Sequence, residues 1–225
     1  MSIAELSRAG VIAVIRAPSA AAAIAVADAA LGGGVRAVEI TFTTPDAPRA
    51  IERLSAAGAL VGAGSLVTAG QARAARDHGA RFAVTPGLDD ELVAEVVASG
   101  LPTVAGAYTA GEVMRARRLG AQAVKLFPAG VGGVALLRAL RDPFPDLAAI
   151  PTGGVTPDNL AEWLAAGAVA VGAGAALCPP DAVLAGRYEE IRARAQAFAA
   201  ALEAARRKLG DSLPSLPRAA KRQPS

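Results

Sequence analysis

The stretch "AVKLFPAG", residues 123–130, sets a lysine in the middle of an apolar run of strand length. Lysine is almost never fully buried unless it is paired. The chain has only three lysines, Lys125, Lys208 and Lys221, and the last two lie near its C-terminus. Strand alternation sets Lys125 and Phe127 on one face, opposite Val124 and Leu126. The apolar face asks for a covering layer of helices. Lys125 is therefore turned the other way, into an interior of a different kind.

Similar runs recur along the whole chain. "VIAVIR" (11–16), "AVEITF" (37–42), "LVGAGS" (60–65) and "RFAVTP" (81–86) precede it; "TVAGAY" (103–108) is its near neighbour. "AIPTGG" (149–154) and "AVAVGAG" (168–174) follow. Counting "AVKLFP" (123–128), their starts are 26, 23, 21, 22, 20, 26 and 19 residues apart, which is one strand plus one helix per step. Eight such units predict an α/β fold, a (β/α)8 barrel. An open, doubly wound sheet is the alternative.

Helix starts agree with the count. Thr44-Pro45 and Thr156-Pro157 each offer an N-cap threonine before an N1 proline. "TAGQ" (68–71) and "TAGE" (109–112) fit the capping box. Glycine closes the helices at Gly58, Gly79, Gly120 and Gly167. "SIAE" at 2–5 predicts a short extra helix before the first strand.

A chain of 225 residues suits one such barrel, and 53% hydrophobic with 4% aromatic residues means a core filled by small aliphatics. The net charge is +3. From residue 206 onward six basic residues stand against Asp211, so that segment carries +5 and the remainder −2. The basicity belongs to a Pro- and Ser-rich tail, expected to be disordered from 210 to 225, with the barrel domain spanning 1–209. No basic face with interleaved aromatics exists in the body, which argues against a nucleic-acid partner. The first ten residues lack a secretory h-region, and no run approaches the roughly 18 apolar residues of a membrane span. A single cysteine, Cys178, forbids an internal disulfide. The expectation is a soluble cytoplasmic protein with a small-molecule partner.

The inward face of "AVEITF" carries Glu39 and Thr41 against Val38, Ile40 and Phe42. Arg16 ends the first strand in the same sense. Three long charged side chains then converge on the C-terminal mouth, where barrel enzymes keep their chemistry. A structural Glu39–Lys125 pair is one reading, but buried pairs rarely outperform apolar substitutes. The other makes Lys125 a nucleophile toward a ketone, with burial and nearby Arg16 favouring the free amine and Glu39 opposing them, and Glu39 a general acid/base. His78, the one histidine, has no partner at ligand spacing, and Cys178 has no histidine beside it, so neither metal nor thiol chemistry is expected. The chain's own electron sink is an imine on Lys125, and no cofactor is expected. Glycines in "PTGGVTPDN" and "VGAGAA", Gly174 among them, offer open amides after the seventh and eighth strands, a phosphate cradle.

In "GGVRAVEITFTTPDA", "VGAGS", "VTPGLD", "VKLFPA" and "PTGGVTPDNLAEW" the chain resembles, from about residue 8 to about residue 200, the 2-keto-3-deoxy-6-phosphogluconate (KDPG) aldolases, which often also cleave 4-hydroxy-2-oxoglutarate (KHG). The resemblance implies a metal-independent class I aldolase of the Entner–Doudoroff route, a carbon–carbon lyase forming trimers of barrels. It places the Schiff-base lysine on Lys125 and the acid/base glutamate on Glu39. It assigns Thr152, Gly153 and Gly154 to the phosphate turn, and Pro86 and Phe127 to pocket walls. Ser65 stands where the family usually has a threonine near the pyruvate carboxylate.

The chain also departs from the family. Thr43, a substrate-binding candidate, stands where some members carry an arginine, which shifts carboxylate binding toward Arg16 and Ser65. Ala175 replaces a serine often found in the eighth-strand phosphate turn. "AGAYT" (105–109) lacks a proline that many relatives have. The alternatives within the class are selectivity for 4-hydroxy-2-oxoglutarate or for a galactonate-series substrate. An imine-free isomerase or epimerase and a non-catalytic sugar-phosphate-binding barrel are more distant ones.

Overall fold

In a computed structural model, which describes residues 3–210, eight strands alternate with helices. The strands are β1 (Val11–Ile15), β2 (Ala37–Thr41), β3 (Leu60–Gly64), β4 (Ala83–Val84), β5 (Thr103–Ala107), β6 (Ala123–Leu126), β7 (Ala149–Pro151) and β8 (Val171–Ala173). The helices are α1 (Ile3–Ala9), α2 (Ala20–Gly32), α3 (Ala47–Ala56), α4 (Ala69–Asp77), α5 (Asp90–Ala98), α6 (Ala110–Arg118), α7 (Ala129–Arg141), α8 (Leu160–Ala165), α9 (Pro180–Leu184) and α10 (Tyr188–Leu209). Parallel pairing runs from β7 through β6, β5, β4, β3, β2 and β1 to β8. Bridges Ala149↔Ala168 and Thr152↔Gly172 join the two ends in a short seam. The sheet thus closes into the expected barrel, and the doubly wound alternative falls.

Alternation divides the core in two. Outward-facing Val38, Ile40, Val124 and Leu126 pack with helix residues such as Val26, Ile51, Val113 and Phe198. Inward-facing Ile12, Phe82, Val84, Val104 and Ile150 fill the lumen, with Ile3 and Leu6 of α1 in the same cluster. Glycine at 62 makes the lumen's largest side chain possible, since a Cβ there would fall within the Phe82 ring.

Strands end where their backbones stop supplying ladder bonds. Pro86 and Pro128 lack an N–H, and Gly153 and Gly154 turn away at φ 86° and 82°. β4, β6 and β7 are accordingly shorter than expected, and β8 begins at Val171 rather than 168. Both predicted capping boxes form, at Thr68–Gln71 and Thr109–Glu112. The amide of Tyr108, then the Thr109 hydroxyl, holds the Glu112 carboxyl below its usual range. Gly58, Gly79, Gly120 and Gly167 all take positive φ after their helices.

Two helix starts differ from expectation. α3 begins at Ala47 behind Asp46 at φ 55°, because the Thr44 hydroxyl accepts the Ala17 N–H instead of capping its own helix. α8 begins at Leu160 behind Asn159. Thr156 and Asn159 exchange side-chain-to-backbone bonds, which spends one turn before regular helix is reached. Arg206, Arg207 and Lys208, expected with the tail, belong to α10, where Arg206 donates to the carbonyls of Ser7 and Arg8. Residues 211–225 lie outside the described residues, and with them the expectation of disorder.

Candidate active site

Lys125 of β6 and Glu39 of β2 meet inside the barrel, Nζ to Oε1 at 3.6 Å, their side chains 7% and 4% exposed. That separation is an ion pair but is too long for a hydrogen bond. Among the described residues no group donates to Glu39 Oε1, although it is fully buried. The pair is therefore held within each other's field without either partner saturating the other.

The expected inward turn of these two residues is what the structure contains, for the reason the sequence offers: their strand neighbours belong to the helix-facing core. Two further glycines clear the space. A Cβ on Gly64 would fall within the Glu39 carboxylate, and one on Gly172 would strike the Thr152 hydroxyl.

Above the pair lies a cavity of about 540 Å³, open at the C-terminal ends of the strands. Its walls include Arg16, Ser65, Pro86, Lys125, Phe127, Thr152, Gly153, Gly174 and Ala175, all singled out from the sequence. Below it, a space of about 10 Å³ between Glu39, Lys125, Thr152 and apolar lumen residues is at the lower limit for one water. The Phe127 ring centroid stands 5.4 Å from Lys125 Nζ, so the ring both walls the cavity and faces the ammonium form favourably. Thr85, fully buried, accepts the Gly106 N–H and donates to the Gly87 carbonyl, which fixes the loop that carries Pro86. Ser65 sits in the left-handed region at φ 55°, a conformation that costs a non-glycine residue about 1–2 kcal/mol. Such strain concentrates where loops are held for a purpose.

At the other end of the cavity, the carbonyls of Thr152 and Gly153 accept the first amides of α7, Ala129 and Gly130. The amides of Gly153 and Ala175 have no protein acceptor among the described residues. They are free to meet an anion.

Besides Glu39, which lies below the cavity, two sequence candidates lie off its wall. Gly154 packs against α7, a Cβ there standing 2.8 Å from Gly130 Cα, so its glycine serves helix approach. Thr43 does not line the cavity; its hydroxyl accepts from Arg16 Nε at 3.0 Å. The sequence reading missed a rim formed by Pro18, Cys178, Pro180, Val183 and Leu184. These carry no chemical signature, and only closure of the barrel brings them to the mouth. Burial pushes the Cys178 thiol up to about 12, consistent with an inert packed side chain. His78 caps α4 and meets the Ala74 carbonyl, as expected of a helix-end residue. Among the described residues no group of three or more His, Cys, Asp or Glu could hold a metal ion. No described helix is long and apolar enough to cross a membrane.

A buried amine with an unsaturated carboxylate 3.6 Å away, both at the floor of one cavity, supplies the parts that imine-forming carbonyl chemistry requires. Known proteins agree. The family profile described as KDPG and KHG aldolase matches residues 3–194. A 2-dehydro-3-deoxy-phosphogluconate aldolase of Treponema pallidum is 37% identical over 194 residues, covering 85% of this chain and 92% of its own. A protein of the same name from Pseudomonas aeruginosa is 41% identical over 168 residues, 73% of this chain and 76% of that one. The crystal structure of KDPG aldolase from Legionella pneumophila, with pyruvate captured as a covalent carbinolamine intermediate, superposes with a TM-score of 0.77 at 33% identity. That match covers 84% of this chain and 93% of the other.

Proposed function

Because the chain belongs to the KDPG and KHG aldolase family, we propose that it is a class I aldolase that cleaves 2-dehydro-3-deoxy-6-phosphogluconate to pyruvate and glyceraldehyde 3-phosphate, with Lys125 as its Schiff-base residue. The observation that carries this reading is the buried, mutually unsaturated Lys125–Glu39 pair at the floor of the cavity.

The Lys125 amine adds to the C2 ketone, and loss of water gives a protonated imine. Glu39 accepts the proton of the C4 hydroxyl, directly or through a water. The C3–C4 bond breaks, C4 leaves as the aldehyde, and the bonding pair flows through C3 and C2 to the imine nitrogen as an enamine. Protonation at C3 and hydrolysis release pyruvate and restore the amine. Arg16 receives the C1 carboxylate, with Ser65 beside it. The free amides of Gly153 and Ala175 receive the phosphate. Phe127 and Pro86 confine the carbon chain. Assembly as a homotrimer, residence in the cytoplasm and a step in the Entner–Doudoroff route belong to the same reading. Exposed Val67 and Val131 are candidates for burial in such an assembly, and light scattering of the purified protein measures its size.

The decisive experiment is borohydride reduction in the presence of pyruvate, followed by peptide mapping. Labelling of Lys125 with loss of activity, and activity indifferent to chelator, is the expected result. Labelling of Lys208 or Lys221 alone would overturn the assignment.

A further inference from the structure

The end of β2 grips the end of β1 at three successive residues. Thr41 Oγ1 donates to the Ile15 carbonyl at 3.0 Å. Arg16 Nε donates to Thr43 Oγ1 at 3.0 Å. The Ala17 N–H donates to Thr44 Oγ1 at 3.1 Å. A fourth contact, Thr41 Oγ1 to Thr43 Oγ1 at 2.9 Å, links the first two rungs.

Proton counting gives this chain a direction. A hydroxyl has one proton to donate. Thr41 spends its proton on Ile15, so in the Thr41–Thr43 contact Thr43 must be the donor. Thr43 then presents only lone pairs to Arg16. The sequence runs from Arg16 N–H to Thr43 O–H to Thr41 O–H to the Ile15 carbonyl, each member polarising the next. Thr41 is fully buried, so the chain is anchored in the barrel wall.

Arg16 differs in what holds it from the arginines that pair with carboxylates among the described residues. Arg76, Arg81, Arg115, Arg117, Arg187 and Arg194 are all paired with carboxylates. Arg16, among the described residues, makes no ion pair, and its one hydrogen bond goes to a neutral hydroxyl through Nε. Fixing Nε–H fixes the plane of a rigid guanidinium and leaves both terminal nitrogens for a forked contact. A carboxylate at position 43 would orient the group equally well but would offset its charge. The threonine orients without neutralising.

We propose that Thr43 is a positioning residue: it holds the Arg16 guanidinium at the cavity wall, charge intact and fork free, to receive the carboxylate of the 2-oxo acid that reacts at Lys125. The inference rests on the reading of Arg16 as the carboxylate receptor. It also accounts for a threonine where some family members have an arginine, since the positive charge enters from the neighbouring strand.

The test uses pyruvate as the probe and the rate of borohydride trapping at Lys125 as the readout. Thr43→Val should raise the pyruvate concentration for half-maximal trapping about tenfold, the lower end for a hydrogen bond to a charged group, with the rate at saturation kept. Thr43→Ser should restore the parental value, whereas Thr43→Asp should raise it at least as far as valine does. Arg16→Met should raise it too, and adding Thr43→Val to Arg16→Met should change nothing more. Additive effects, an equal fall in the saturating rate, or an unchanged value in Thr43→Val would each overturn the proposal. If Arg16→Met leaves pyruvate trapping unaltered, the carboxylate reading beneath it fails instead.

Discussion

Gly64 and Glu39 compete for one volume: a Cβ on Gly64 would fall within the Glu39 carboxylate and stand 2.6 Å from its Cγ. The glutamate reaches toward Lys125 because β3 offers no side chain at that point. Gly64→Ala should push the carboxylate off its position. Acid/base groups contribute about 10²–10⁴-fold, so cleavage of the phosphorylated substrate should slow about a hundredfold. Pyruvate trapping at Lys125 should persist. Steady-state cleavage compared with trapping distinguishes this from general damage, which would depress both.

Lys125 and Glu39 are each tolerable inside the barrel because of the other. Lys125→Met leaves a carboxylate 4% exposed with no charge partner, and breaking a buried pair costs about 3–5 kcal/mol. Adding Glu39→Gln removes the orphan charge, so the double variant should regain much of the loss. Urea unfolding of parent, single and double variants measures it. A single variant as stable as the parent would mean that the pair is energetically uncoupled.

Much of this architecture is legible in the sequence. Eight strand-plus-helix steps led to the barrel, and the apolar neighbours of Glu39 and Lys125 settled which way those two point. What escaped has a common cause. Thr44 looked like a helix cap by its local context, yet its hydroxyl is taken by Ala17, 27 residues earlier. Thr43 was grouped with groups that touch substrate, and its bond to Arg16 depends on two strands lying side by side. Gly64 and Gly172 work through a missing side chain, so only the neighbour that fills the gap discloses their role. Gly154 was legible as a turn residue but not as the place where α7 comes closest.

Ala175 shares the cavity wall with Gly153 and Gly174 and brings an amide but no hydroxyl. A hydrogen bond to a charged group contributes about 1.5–3 kcal/mol. Ala175→Ser should therefore raise the preference for the phosphorylated substrate over its dephospho analogue about tenfold, the lower end of that range. The ratio of kcat/KM values for the two substrates, parent against variant, is the measurement. An unchanged ratio would show that position 175 does not address the phosphate.

Cys178 links stability to alkaline pH. Burial raises its thiol from 9.0 to about 12, so the folded chain keeps a proton that the unfolded chain loses. This contribution is complete below pH 9 and declines as pH rises from 9 toward 12, by about 1.4 kcal/mol per pH unit. Unfolding free energies of parent and Cys178→Ala should diverge over that window, the parent falling more steeply. Parallel curves would place the thiol in contact with solvent. Alkylation of the native protein at pH 8 should likewise be slow beside that of the unfolded chain.

The helix α1 bears on the order of events. Its Ile3 and Leu6 are buried in one cluster with Ile12, Ala37 and Phe82 of the lumen, so among the described residues the lower end of the barrel is filled, and the cavity opens at the strands' C-terminal ends. A blind chamber imposes a queue. On the proposed mechanism the three-carbon fragment stays tethered to Lys125 at the floor after bond cleavage, while the aldehyde lies toward the exit and departs first. In the synthetic direction the order reverses, and the keto acid must enter before its aldehyde partner. Product inhibition should carry that asymmetry, with pyruvate competing against substrate for the empty enzyme and the aldehyde acting on the occupied one.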